Sequence, residues 1–157
     1  MGGSFKLTSK PVWITKDIIA TGEIPLQTAF EQVDKELLLR KNNKFVPDPL
    51  VDDQALIIKT SKGLVIILGC AHRGVINTLL YARKITGENR IYMVMGGAHL
   101  VNASRERIYK TIAALRALGI EKIGLSHCTG DKATVMLIQE FGEDFFFNRA
   151  GTELKIE

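Results

Sequence analysis

From about Leu56 onward the apolar positions fall into two alternating periods. ALIIKTSKGLVIILG reads as two strands, Leu56 to Lys59 and Leu64 to Leu68, around a Ser-Lys-Gly turn, because β-branched and aliphatic residues suit a pleated, half-buried surface. The spacing then becomes helical from about Gly74 to Ile85, with Val75, Leu79 and Ala82 on one face. Gly87 is placed to end this helix in a left-handed cap. Strand Ile91 to Met95, a helix from Ser104 through Leu118, strand Ile120 to Leu125 and helix Lys132 to Glu140 follow in turn. Ser104 is a good N-cap, Ile108, Ile112, Leu115 and Leu118 form a buried stripe, and Gly119 ends that helix. The tail sets DFFFNR against TELKIE across Ala150-Gly151, which predicts a terminal hairpin. The first fifty residues or so are less periodic. PVWITKDIIATGEIP is strand material broken at Thr21-Gly22, and KNNKFVPDP predicts a solvated loop. The expectation is one α/β domain over 1–157, with residues 1–50 as an irregular lead-in and 51–157 as its core.

Strand and helix alternate three times, and that order favours parallel pairing, since each crossover helix returns the chain to the same edge. His72, His99 and His127 each follow an apolar run, and they are the three histidines of the chain. All three are thus expected at the C-terminal edge of the sheet, where open α/β sheets place ligands. Neutral imidazole is a common metal ligand, and one histidine after every strand is a stronger signal than a single capping residue. Cys70 and Cys128 flank two of them as further thiol donors or as inert buried thiols. Asp52, Asp53 and Asp131 are possible carboxylates, with a helix cap as the alternative for Asp131. Arg73, with the helix start after it, and Lys132 are candidate anion contacts.

The chain has 157 residues, 46% of them hydrophobic and 24% charged, which describes an ordinary folded domain. Its net charge of +4 is spread along the chain among acids, so nucleic-acid binding is not indicated. The N-terminal MGGSFKLTSK lacks an apolar signal core, and no stretch is long and apolar enough to span a bilayer. The expected compartment is the cytoplasm, with both cysteines reduced. Paired CxxC spacing, a GxSxG elbow, a Walker A loop and the dinucleotide glycine motif are all missing.

GCAHRGVINT, GGAHL and SHCTG, preceded by DDQALIIKTSKGLVIILG, resemble the C-terminal half of the metallo-β-lactamase superfamily. They are most similar to its branch of metal-dependent hydrolases related to archaeal dihydropterin ribofuranosyl-aminobenzene phosphate synthases. The similarity runs from about Thr21 to the C-terminus. It implies the second sheet and helices of an αββα sandwich, with His72 and His127 as metal ligands of a binuclear centre. Where the superfamily usually has a bridging aspartate, this chain has glycine, and His99 two residues on is the candidate ligand or substrate contact. The implied metal is a divalent cation, zinc first, with iron or manganese as alternatives. The implied substrate is a small phosphorylated or pterin-like molecule.

The HxHxDH motif that belongs to the N-terminal half of that fold does not occur in this sequence. The expectation is therefore a portion of a hydrolase that completes its centre by association, with a separately encoded N-terminal half or with itself as a homo-oligomer. The alternative is a non-catalytic module acting as a self-associating scaffold or anion binder.

Overall fold

The computed structural model describes residues 2–4 and 7–156. Strands β1 (Val12–Trp13) and β2 (Ile18–Ala20) lead in, followed by β3 (Leu38–Lys41), β4 (Lys44–Pro47), β5 (Ala55–Thr60) and β6 (Gly63–Leu68). Three helices then alternate with two strands, as α1 (Val75–Thr86), β7 (Ile91–Gly97), α2 (Arg105–Ala117), β8 (Lys122–Ser126) and α3 (Asp131–Phe141). The main sheet has the order β1-β2-β5-β6-β7-β8. Its first four strands pair antiparallel, and β6-β7-β8 pair parallel, as the alternation predicts.

One face of this sheet carries the core. Ile57, Leu64, Ile66, Val94, Ile123 and Leu125 pack with Val75 and Leu79 of α1, Ile108 and Leu115 of α2, and Ala133 and Leu137 of α3. The helix limits follow local chemistry. Ser104 accepts from the Arg107 amide at 3.2 Å, and Gly87 takes the left-handed C-cap at φ 70°. Asp131 starts α3 without capping it, since Gly130 is the N-cap and no side chain closes it.

Among the described residues, no helix packs core side chains on the opposite face. Register places Ala20, Leu56, Ile67 and Met95 in one row across β2, β5, β6 and β7, and Ile18, Ile58, Val65 and Met93 in the next. None of these eight belongs to the helix-packed core, and six of them are half-buried.

Two sequence expectations change. The Lys/Asn-rich segment is a second, two-stranded sheet, β3 with β4, instead of a loop. Asn42 and Asn43 form its two-residue turn with φ of 50° and 59°, the conformation that lets a tight hairpin match strand twist. The tail does not pair with itself; its last residue, Glu157, lies outside the described residues. Instead Phe145 bridges to Ile123, the Phe146 amide donates to the Ile123 carbonyl at 2.9 Å, and the Phe146 ring fills the space over Gly124. An open edge on β8 and a missing Cβ offer the tail more burial than its own charged partner segment does. No helix among the described residues is long and apolar enough to cross a membrane.

Candidate metal centre

The parallel strands end side by side, and their C-terminal loops are tied to one another. The Gly97 amide donates to the Gly69 carbonyl at 2.9 Å, and the Leu100 and Val101 amides both donate to the Cys128 carbonyl at 3.1 Å. The Ala98 amide reaches the Thr129 hydroxyl at 3.2 Å. His72, His99 and His127 all lie in these loops, as the topology requires.

Each loop holds one non-glycine residue in the left-handed region, Ala71 at φ 50°, His99 at 43° and His127 at 55°. Such conformations cost about 1–3 kcal/mol each and persist where the surroundings over-determine them. Here the inter-loop hydrogen bonds do so, which fixes the direction in which each side chain leaves the backbone.

The side chains form two groups. The His72 and His99 rings meet with centroids 4.1 Å apart and planes inclined at 54°, and Nδ1 of each is buried without a hydrogen-bond partner. Asp34 approaches His99, Oδ2 to Nε2 at 4.0 Å. Burial, and then the neighbouring His72, hold the His99 pKa below its ordinary value against the pull of Asp34. His99 is thereby kept in the neutral form that donates a lone pair to a metal. His127 instead joins Cys70 and Cys128, the three donor atoms lying within 4.8 Å of one another. The Cys128 sulfur accepts from the His99 amide at 3.3 Å, and burial pushes its thiol up to about 11. Orphaned imidazole nitrogens beside a thiol and imidazole cluster are the donor chemistry that suits a transition-metal ion.

Arg73 and Lys132 do not join the histidines in the way a shared anion site would need. Arg73 is buried, with its guanidinium on the carbonyls of Ile24 at 2.5 Å and Pro49 at 2.6 Å and on the Glu23 carboxylate at 3.3 Å. It tethers the lead-in to the His72 loop, a task also served by the Asp53 carboxylate, which accepts from the Arg73 amide at 2.8 Å. Lys132 lies exposed on the first turn of α3, beside Arg105, Val135 and Met136.

The helix start after Arg73 already has its anion. Glu31, only 2% exposed, accepts from the Ile76 amide at 2.8 Å and the Asn77 amide at 2.7 Å. Burial raises the pKa of this carboxyl, although the two amides and the Thr28 hydroxyl favour its charged form. Gly74 makes room for it, because a Cβ there would lie on the Glu31 carboxylate. Asn77 completes the clasp, its amide oxygen accepting from the Gln27 and Thr28 amides at 2.8 Å. Neither Glu31 nor Asp34 stands out in the sequence, since both lie in the aperiodic lead-in. Beside His99 opens a cavity of about 560 Å³ lined by Asp34, Lys35, Glu36, Asn102 and Arg107.

No protein-family profile matches the chain. Among solved structures it is similar to the crystal structure of Tm1679, described as a metal-dependent hydrolase of the beta-lactamase superfamily. The TM-score is 0.86 and the identity 33%, over 98% of this chain and 59% of that one. The chain thus shares the fold of the corresponding part of that beta-lactamase-superfamily hydrolase, and the candidate donors lie at the ends of its parallel strands. Among curated proteins it is 39% identical, over 99% of its length, to the 7,8-dihydropterin-6-methyl-4-(beta-D-ribofuranosyl)-aminobenzene-5'-phosphate synthase of Methanocaldococcus jannaschii. It is also 32% identical over 85% of its length to an uncharacterized protein of the same organism. The chain spans about half the length of these curated relatives, 54% and 48%.

Proposed function

We propose that this chain supplies His72, His99 and His127 to the metal centre of a hydrolase acting on a small phosphorylated or pterin-like substrate. The observation that carries the reading is the His72 and His99 pair, in contact with ring centroids 4.1 Å apart and both Nδ1 atoms buried and unpartnered. A buried imidazole nitrogen without a partner loses its hydration for nothing, and a divalent cation would satisfy it. Zinc is the first expectation, with iron or manganese as alternatives, and a bound cation would supply Lewis-acid polarisation and a lowered pKa for water. The chain's own residues do the rest. Asp34 places a carboxylate 4.0 Å from His99 Nε2, the loop hydrogen bonds hold the candidate ligands in place, and Arg107 and Asn102 line the cavity where an anionic group would sit. The names of the Tm1679 hydrolase and the M. jannaschii synthase support the hydrolase class and the phosphorylated, pterin-like substrate respectively.

The apolar rows opposite the helices support association. Their occupant in this reading is a polypeptide corresponding to the length by which the relatives exceed this chain, since they are close to twice as long. Contiguous apolar rows without a helix packed on them support an interface there.

The test is metal content by plasma mass spectrometry, with hydrolysis of p-nitrophenyl phosphate, on wild type, His72→Ala and His127→Ala. A metal content that falls below that of the wild type in both variants, together with hydrolysis by the wild type, is the expected result. A metal-free wild type, inactive after addition of zinc, iron and manganese, would refute the reading.

A further inference from the structure

Cys70, His127 and Cys128 stand apart from the histidine pair and converge from two different loops. We propose that they form a soft-metal site, two thiolates and one imidazole binding zinc with a fourth position open to solvent. The proposal deepens the reading above, because both draw on His127, yet its test is read without catalysis.

The distances set the case. A tetrahedral zinc ion with sulfur at about 2.3 Å and nitrogen at about 2.0 Å has ligand atoms roughly 3.5–3.8 Å apart. The three donors lie within 4.8 Å of one another, so closure asks for side-chain movements of roughly 1 Å. His127 is exposed, and its ring can make that adjustment while the half-buried sulfurs stay in place.

The surroundings are built for sulfur. Gly97 lacks a side chain where a Cβ would lie 2.7 Å from the Cys128 sulfur and 3.1 Å from the Cys70 Cα, so the glycine leaves the space that the sulfur fills. The His99 amide points at that sulfur from 3.3 Å, and such a donor stabilises a metal-bound thiolate. The Cys128 thiol donates to the Cys70 carbonyl at 3.6 Å. Metal binding would replace that weak bond and release both thiol protons. Two thiolates neutralise a divalent ion, which suits a half-buried location. Three protein ligands and one open position is also the arrangement of a zinc centre that works, as opposed to a closed structural one. Thiolate donors favour zinc over manganese or magnesium, so the proposal names the metal class that the histidines alone leave open.

Cobalt(II) is the probe, because it takes tetrahedral zinc positions and reports sulfur ligation by a charge-transfer band in the near ultraviolet. The full chain, reduced and anaerobic, is titrated as wild type, Cys70→Ser, Cys128→Ser and His72→Ala, with circular dichroism to verify folding. The expected result is a sulfur-to-cobalt band in wild type and His72→Ala, and its loss in both cysteine variants. Losing one outer partner of a ligand costs about 10–100-fold in affinity, so zinc binding at this site should weaken at least about a hundredfold in each cysteine variant. Should a serine variant fail to fold, thiol titration of the wild type decides, with zinc shielding both cysteines from a disulfide reagent. Cobalt spectra without sulfur character, or thiols equally reactive with and without zinc, would overturn the proposal. Failure of the hydrolase reading would instead show as absent hydrolysis with the sulfur band intact.

Discussion

Replacing Glu31 by alanine removes the acceptor for two backbone amides at the start of α1, those of Ile76 and Asn77. Hydrogen bonds to a charged group contribute about 1.5–3 kcal/mol each, so the gross loss is roughly 3–6 kcal/mol. Burying the carboxylate offsets part of this, as its raised pKa records, and the net destabilisation expected is about 2–4 kcal/mol against a total of roughly 5–15 kcal/mol. For a chain of this length that is a fall in Tm on the order of 5–15 °C. Urea unfolding followed by circular dichroism measures it. Glu31→Gln keeps one acceptor oxygen and should lie between the two. The sign with pH is also fixed. A carboxyl raised in the folded state holds its proton more tightly there, so its pH-linked contribution is full below the ordinary carboxylate pKa and is lost as pH rises through the raised value. The wild type should therefore gain on Glu31→Gln as the solution is acidified through that window. An alanine variant within about 1 kcal/mol of wild type would refute the clasp, and a difference from Gln that grows in the wild type's favour with rising pH would refute the burial-raised pKa.

Three other changes test other parts of the structure. Gly97→Ala puts a methyl group 2.7 Å from the Cys128 sulfur and 2.8 Å from the Gly69 carbonyl oxygen; it should cost about 1–3 kcal/mol in urea unfolding and raise the reactivity of Cys128 toward a thiol reagent. Gly124→Ala would displace the Phe146 ring that now lies against Gly124, and the tail should then be cut faster by trypsin at Arg149 while the helices stay protected. Asn43→Gly, at φ 59° in the hairpin turn, should stabilise the chain by a few tenths to about 1 kcal/mol, read as a higher urea midpoint.

The three strand-helix steps were legible because their apolar periods are long and their limits are marked by Ser104 at a start and Gly87 and Gly119 at the stops. Parallel order then followed from topology, and with it the gathering of the three histidine loops at one edge. The β3 and β4 hairpin was not legible, since Leu38 and Phe45 are 53% and 71% exposed and no buried face imposes an alternating pattern. The tail's pairing was hidden for a related reason. Its aromatic run does read as a strand, but its partner is β8 and a glycine gap, neither of which is local in sequence. The division of the site into a histidine pair and a thiol group was equally hidden, because spacing brings loops together without saying which donors face each other. Glu31 lies 45 residues before the Ile76 amide that it holds, and nothing in its own neighbourhood announces that bond.

The left-handed residues Ala71, His99 and His127 also bear on how this chain can change. Each is a position where glycine would relax the backbone, so a search for greater heat tolerance that ignored activity would accept glycine at all three. At 99 and 127 it would discard the imidazole. At 71 it would keep every candidate donor yet loosen the turn that aims His72. Under the proposed metal reading, variants gathered that way would unfold later and bind a metal less firmly, so thermal endurance and metal binding should pull against each other at this edge of the sheet.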